Sequence, residues 1–396
     1  MLGKSAKTIA CGTRVPARSP KVNIAVIGAS GRVGRQLLEL IATRPIAQQL
    51  RVVALANSTR WLVSADGLPV VLAAETLGRT APVAGEGLSV ALLKLPKPLI
   101  VVDCTASADI AACYPRWLAG GIDVVTPNKL GPSADQPLAS AIAAAQISGK
   151  ATLRDSTTVG AQLPLLGTLR ELRDSGDRIE HFEAVLSGTL SFVLGRIHEG
   201  AGLSAALREA IAAGYSEPHP RSDLSGEDAA RKLVILLRAL GEDIDFEDIE
   251  RVPLVDAGLL NEPDPKVLLD SLDAPDASWR ARVAIAQARN ERWIYRASFE
   301  RCASGLVRAR VAPERISQAH PLARLAPCEN ALILHSRYYC VAPLTIAGPG
   351  AGIELTAAGV FADLLATARS YTVREDSRAA AGLDASEATA ALVAVA

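Results

Sequence analysis

The sequence predicts an α/β fold, a Rossmann-type doubly wound parallel sheet, joined to a second domain of the α+β kind. Three observations carry that expectation. Up to about residue 155, short apolar runs alternate with helical segments, the order that builds a parallel sheet covered on both faces. A glycine-rich turn stands between the first apolar run and the first helix. Beyond residue 155 the apolar runs become strands with one polar face, separated by long helices.

The elements follow in order. Val22 to Ile27 is an unbroken apolar run, as a strand buried on both faces requires. The turn Gly28-Ala29-Ser30-Gly31-Arg32-Val33-Gly34 follows it, and Arg35 to Ile41 has helical character. Val52 to Ala56 and Leu99 to Asp103 are further strands. An Ala-rich helix is expected next, ending near Gly120 and Gly121, and then a strand over Ile122 to Thr126. In the second domain, Phe182 to Leu186, Trp293 to Tyr295 and Leu306 to Val311 read as strands, and residues 226–241 as a helix. Residues 246–290, rich in Asp and Pro, read as loops with short helices, and Thr356 to Ala368 as a last helix. The expected organisation is a basic tail over 1–20, a nucleotide domain over 21–155 and a second domain over 156–345. Residues 346–370 return to the nucleotide domain, and 371–396 form a frayed tail.

Composition removes several function classes. Forty-two basic residues balance 42 acidic ones among 396, so no general attraction to nucleic acid or to an anionic membrane is expected. No apolar run reaches the roughly 18–20 residues needed to span a bilayer. The six cysteines form no CxxC pair, which fits reduced thiols in the cytoplasm better than a disulfide framework or a zinc site. Residues 1–20 carry Lys4, Lys7, Arg14 and Arg18 without an apolar core segment, so a secretory signal is not expected.

The glycine turn has the spacing GxxGxxG. Its glycines, Gly28, Gly31 and Gly34, let the backbone turn tightly and approach a pyrophosphate at the start of a helix. A plain turn between strand and helix is the bland alternative. The second strand runs into Asn57, Ser58, Thr59 and Arg60, where an NAD site usually has an acid for the ribose hydroxyls. Arg60, with Arg32 of the turn, suits a 2′-phosphate, because a guanidinium donates two parallel hydrogen bonds. NADP(H) is therefore the expected cofactor, with NAD(H) as the alternative.

The stretch from Gly214 to Lys232 concentrates Tyr215, Glu217, Asp223, Asp228 and Lys232 around a Pro-rich turn that leads into a helix. Asp228 and Lys232 are four residues apart and share a helix face, so both can reach one small molecule. A carboxylate beside an ammonium suits an amino-acid-like substrate and proton transfer to a carbonyl oxygen. A solvated ion pair stabilising by only ~0.3–0.5 kcal/mol is the bland alternative.

Several stretches together resemble homoserine dehydrogenase, in particular the dehydrogenase part of bifunctional aspartokinase/homoserine dehydrogenases. They are Val102-Asp103-Cys104-Thr105, Val124 to Lys129, Val159-Gly160-Ala161, Ser187 to Ser191, Tyr215 to Lys232, Gly350-Ala351-Gly352 and Thr356 to Asp363. The glycine turn alone also resembles dihydrodipicolinate reductase. The resemblance implies reversible NADPH-dependent reduction of L-aspartate 4-semialdehyde to L-homoserine, a step of threonine, methionine and isoleucine biosynthesis. It implies a catalytic and dimerisation role for the second domain, a homodimer or dimer of dimers, and a single-function catalytic core. The cofactor would lie against Gly31, Val33, Gly34, Thr105, Lys129 and Gly350, to which Gly28, Arg32, Asn57, Arg60 and Gly214 are added here. The substrate would lie against Thr189, Tyr215, Glu217, Asp223 and Asp228, with Lys232 at the place of the lysine usually assigned as proton donor and Lys129 facing the same cleft; the sequence leaves open which of the two lysines moves the proton. Many family members hold a monovalent cation, sodium among them, on backbone carbonyls matching Val159, Ala161 and Leu163.

The chain departs from the family pattern at named positions. His219 and Ser222 replace two aspartates, Leu130 replaces a lysine and Gln162 a glycine. Where the cation site has an acid, this chain has Ser156, with Asp155 one residue earlier. These changes leave two alternatives open: a reductase for a related amino-acid aldehyde, and a catalytically silent NADP(H)-binding protein.

Overall fold

The structure is a computed structural model, and it describes residues 21–70, 77, 87–216, 219–302 and 304–371. Residues 1–20 and 372–396 of the two tails read from the sequence, and Glu217, lie outside the described residues, whereas Tyr371 ends the last helix.

The first sheet is built from β1 (Val22–Ile27), β2 (Leu50–Ala56), β3 (Trp61–Val63), β4 (Leu99–Asp103), β5 (Asp123–Val125) and β6 (Leu153–Arg154). Their order is β3-β2-β1-β4-β5-β6. All neighbours run parallel except β3, which returns antiparallel along β2. The unbroken apolar run of β1 is explained by its place at the centre. Ile24 and Val26 join a core on one face, while Ala25 and Ile27 join a core on the other. Asn23 is the polar exception, and it is satisfied: it accepts from Arg51 Nε at 2.8 Å and donates to the Pro96 carbonyl at 2.8 Å. The Ala-rich helix expected after β4 is two short helices, Ala108–Ala111 and Tyr114–Ala119, the second carrying a proline in its first turn.

The second sheet contains β7 (Ile179–Val185), β8 (Glu250–Arg251), β9 (Glu291–Arg301), β10 (Val307–Ser317), β11 (Glu329–Ser336) and β12 (Leu344–Pro349). The order is β12-β11-β7-β9-β10-β8, antiparallel apart from β8 beside β10. Helices Leu165–Asp174, Gly188–His198, Leu203–Ala212 and Glu227–Ala239 bury their apolar stripes in one large core with this sheet. One expectation is corrected. Residues 246–290 hold a long helix, Asp273–Ala288, where loops with short helices were expected. Its stripe of Trp279, Val283 and Ala286 keeps helical spacing and is buried, although Asp, Pro and Arg surround it in the sequence.

After β12 the chain crosses back. The helix over 353–371 inserts Val360, Phe361, Leu364, Leu365 and Ala368 into the core that holds Ile24 and Val26. No helix among the described residues is long and apolar enough to cross a membrane.

Candidate active site

The glycine turn explains its own spacing. Gly28 has φ +79°, and a Cβ there would stand 2.8 Å from the Cys104 carbonyl oxygen. A Cβ on Gly34 would stand 2.2 Å from the Gly28 carbonyl oxygen. Gly31 donates its N–H to that same oxygen at 2.9 Å. The helix Arg32–Thr43 starts directly from this turn, and no side chain caps it at Gly31. Such a bare N-terminus at the carboxyl end of a central parallel strand fits a dinucleotide pyrophosphate.

Facing this turn is the helix Glu227–Ala239 of the second domain. It begins at Gly226, which has φ +75°. Asp228 sits in its first turn, where the helix end favours negative charge. Asp228 Oδ2 lies 2.6 Å from Lys232 Nζ, and Asp228 Oδ1 lies 3.4 Å from Lys129 Nζ on the nucleotide domain. Lys232 also donates to the Leu186 carbonyl at 2.8 Å, just past the end of β7. Burial alone would raise the Asp228 carboxyl, but the ammonium groups of Lys232 and Lys129 outweigh it and hold it well below the usual carboxylate range.

Asp223 takes the opposite course. Burial, reinforced by the Asp228 charge, pushes its carboxyl up to about 6, although Ser216 donates to it at 2.8 Å. Thr189, in the first turn of the helix Gly188–His198, donates its hydroxyl to the Tyr215 carbonyl at 2.6 Å. The Tyr215 ring stacks at a tilt on Phe192, 5.1 Å between centroids.

These groups line one cleft of about 620 Å³ between the domains. Of the residues read from the sequence it brings together Arg32, Val33, Lys129, Thr189, Gly214, Tyr215, Asp223, Asp228 and Lys232. A second cleft of the same volume lies between the domains beside the C-terminal half of the helix Glu227–Ala239, lined by Arg154, Arg170, Arg238 and others. Volume does not separate the two; only the first gathers the carboxylate–ammonium cluster and the glycine turn.

Other expected residues stand outside the lining. Gly28, Gly31 and Gly34 shape the turn from beneath. Asn57 accepts at its amide oxygen from the backbone N–H groups of Thr59, at 3.0 Å, and Arg60, at 2.8 Å, so it builds the loop after β2. Thr105 is tied to Asp103 by its backbone N–H, at 2.8 Å. Gly350 packs on Asn330, where a Cβ would fall 2.0 Å from the side-chain Cγ, and Ala351 and Gly352 are the neighbours that reach the cleft. His219 and Ser222, the two departures from the family pattern, line it as well. Cys328 lines it without any sequence signal, since nothing in its neighbourhood repeats a motif.

At the turn proposed for a cation, Gly160 and Ala161 have positive φ, and the Leu163 carbonyl accepts from Leu165 N–H at 2.7 Å. The neighbouring carboxylates are engaged: Asp155 pairs with Arg170 at 2.7 Å, and Asp363 accepts from the Ser156 N–H at 3.2 Å.

A dinucleotide-type sheet closing on an α+β domain over a lysine–carboxylate cluster defines a class of two-domain fold. The comparisons narrow the class. The family description "Homoserine dehydrogenase" matches residues 164–365, and "Homoserine dehydrogenase, NAD binding domain" matches residues 30–154. A homoserine dehydrogenase from Emericella nidulans is 33% identical over 365 residues, covering 88% of this chain and 98% of that one. A bifunctional aspartokinase/homoserine dehydrogenase from Haemophilus influenzae is 33% identical over 355 residues, 87% of this chain but 43% of the relative. The chain thus spans about two fifths of the length of such bifunctional relatives. Among solved structures, a Candida auris protein of unknown function superposes with a TM-score of 0.81 at 30% identity, covering 89% of this chain and 99% of that one. A hyperthermophilic archaeal homoserine dehydrogenase in complex with NADPH gives 0.66 at 26% identity, covering 87% and 97%. The chain belongs to the homoserine dehydrogenase family.

Proposed function

We propose that the chain reduces L-aspartate 4-semialdehyde to L-homoserine, reversibly, with NADPH. The observation that carries this reading is the Asp228 carboxylate shared by two ammonium groups, Lys129 from one domain and Lys232 from the other, in the cleft beside the glycine turn.

Bound NADPH supplies the hydride. Reduction leaves negative charge on the carbonyl oxygen, and in this reading Lys232 stabilises it and delivers the proton. Asp228 and the Leu186 carbonyl hold that ammonium in one position. Asp223, when ionised, accepts the substrate's α-ammonium, together with Glu217, and Thr189 and Tyr215 complete the substrate wall. The uncapped helix start at Gly31 and the close-packed turn fit the cofactor's pyrophosphate. Arg60 and Arg32 are assigned to the 2′-phosphate, which selects NADPH over NADH. The turn over Val159, Ala161 and Leu163 fits a monovalent cation poorly, because the Leu163 carbonyl already accepts from the Leu165 N–H and Asp155 is paired with Arg170. A cytoplasmic homodimer is the assembly and place we assign to it.

His219 and Ser222 in the cleft favour one second reading, a related amino-acid aldehyde as substrate. The test follows NADPH absorbance with purified protein and aspartate semialdehyde, then NADH, then related aldehydes. Consumption of NADPH with aspartate semialdehyde is expected. Silence with both cofactors sinks the reading.

A further inference from the structure

We propose that Asp103 is a positioning residue, which acts through Asn128 to hold Lys129 and ties its own loop through the Thr105 N–H. The proposal rests on the proposed function, in which Lys129 shares the Asp228 carboxylate with the proton donor Lys232.

Asp103 ends β4 and is wholly buried. A buried carboxylate is costly unless its oxygens are hydrogen-bonded. Here one oxygen accepts from the Thr105 N–H at 2.8 Å. The other accepts from the Tyr114 hydroxyl at 2.5 Å and from Asn128 Nδ2 at 3.0 Å. The donors are neutral: one backbone N–H and the side chains of Tyr114 and Asn128. Exchanging a buried polar group and its side-chain partners for apolar groups of the same shape can be nearly neutral for stability.

The network does account for the placing of two loops. They follow neighbouring parallel strands, β4 and β5, whose carboxyl ends border the crevice of an open α/β sheet. Asn128 joins them. Its amide nitrogen also donates to the Ser107 carbonyl at 3.0 Å, and its amide oxygen accepts from the Leu130 N–H at 3.1 Å. The Asn128 N–H donates to Thr126 Oγ1 at 2.9 Å, and Thr126 in turn donates to the Asp103 carbonyl at 2.9 Å. Lys129 is therefore clamped on both sides. Its own carbonyl accepts from the Ser133 N–H at 2.9 Å and from the Ser133 hydroxyl at 2.8 Å. Its backbone is fixed by the first domain while its ammonium meets Asp228 of the second.

Asp103→Asn keeps the shape and an oxygen for Thr105, but confronts the Asn128 amide with a second amide. The expected result is a fall in kcat of roughly 10²-fold, the cost of a misplaced catalytic group. The KM for the aldehyde and the Kd for NADPH, read by fluorescence, stay within about twofold. The deciding measurement is a double-mutant cycle with Lys129→Gln. If Asp103 acts through Lys129, Asp103→Asn lowers the residual Lys129→Gln rate by no more than about twofold. Equal fractional losses on both backgrounds overturn the proposal. Tyr114→Phe, which removes only the hydroxyl, repeats the cycle should Asp103→Asn fail to fold, with a smaller loss that also disappears on the Lys129→Gln background. Absence of turnover in the unaltered protein overturns the functional reading instead, so the two failures are distinguishable.

Discussion

Asp223 and Asp228 line one cleft and are driven in opposite directions. The ammonium groups of Lys232 and Lys129 favour the ionised form of Asp228. Asp223, pushed up to about 6, is protonated below that pH and then cannot accept an ammonium group. For homoserine oxidation, kcat/KM is expected to fall as the pH drops through about 6, and Asp223→Asn is expected to remove that limb while lowering the plateau. The stability sign is the reverse of the usual carboxylate case. The folded state binds the proton more tightly than the unfolded one, so the group's contribution is most favourable below pH 4 and is lost as the pH rises to about 6. Asp223→Asn should therefore melt higher than the parent at pH 8 and not at pH 4.5; the same gain at both would refute the assignment. Lys232→Ala should abolish turnover and leave NADPH binding nearly intact in a fluorescence titration. Equal loss of both would remove Lys232 from proton transfer. The i,i+4 pairing of Asp228 and Lys232 was legible because helix geometry fixes it locally. The Asp103 network was not, since hydrogen bonds from Asn128 and Tyr114 join positions that no periodicity relates.

Among the elements, those with a pure period were readable: β1, β4 and the helix Glu227–Ala239 all stand where their patterns put them. The helix Asp273–Ala288 was hidden because its narrow stripe is flanked by turn-forming residues. The strand β12 was hidden because its burial alternates only weakly at a sheet edge. Gly226 shows what an element boundary contributes to the site. A Cβ there would fall 1.9 Å from the Tyr295 hydroxyl oxygen, which donates to the Val252 carbonyl at 2.8 Å. The left-handed backbone adds about 1–2 kcal/mol for any residue with a side chain. Gly226→Ala is expected to lower the urea midpoint and, because Asp228 lies in the first turn that follows, to lower kcat as well. An unchanged kcat in the folded variant would mean that the Asp228 position does not depend on this helix start.

At the scale of the molecule, one helix touches the nucleotide domain at three points. Asp228, Arg231 and Arg238 of the helix Glu227–Ala239 all reach the loop that follows β5 or the helix Gln136–Gly149 beyond it. Asp228 meets Lys129, and Arg231 approaches Ser133 Oγ at 3.5 Å. Arg238 donates to the Pro132 carbonyl at 3.0 Å and to Gln136 at 3.3 Å, while Ile244 and Asp245 hold it from its own domain. Lys129 and Lys232, to which the proposed function gives the chemistry, belong to different domains, so this contact helps to set their spacing. Arg238→Ala leaves carbonyls and the Asp245 carboxylate without their donor, at about 1.5–3 kcal/mol for hydrogen bonds to a charged group. Arg238→Lys should not restore the contact, because one ammonium cannot reproduce the planar fork. Both variants are expected to raise KM for the aldehyde and lower kcat, since each domain keeps its fold while Lys129 and Lys232 lose register. Steady-state kinetics beside urea unfolding decides it. A loss of stability with kcat/KM unchanged would assign Arg238 to the scaffold and leave the lysine spacing to Asp228 alone.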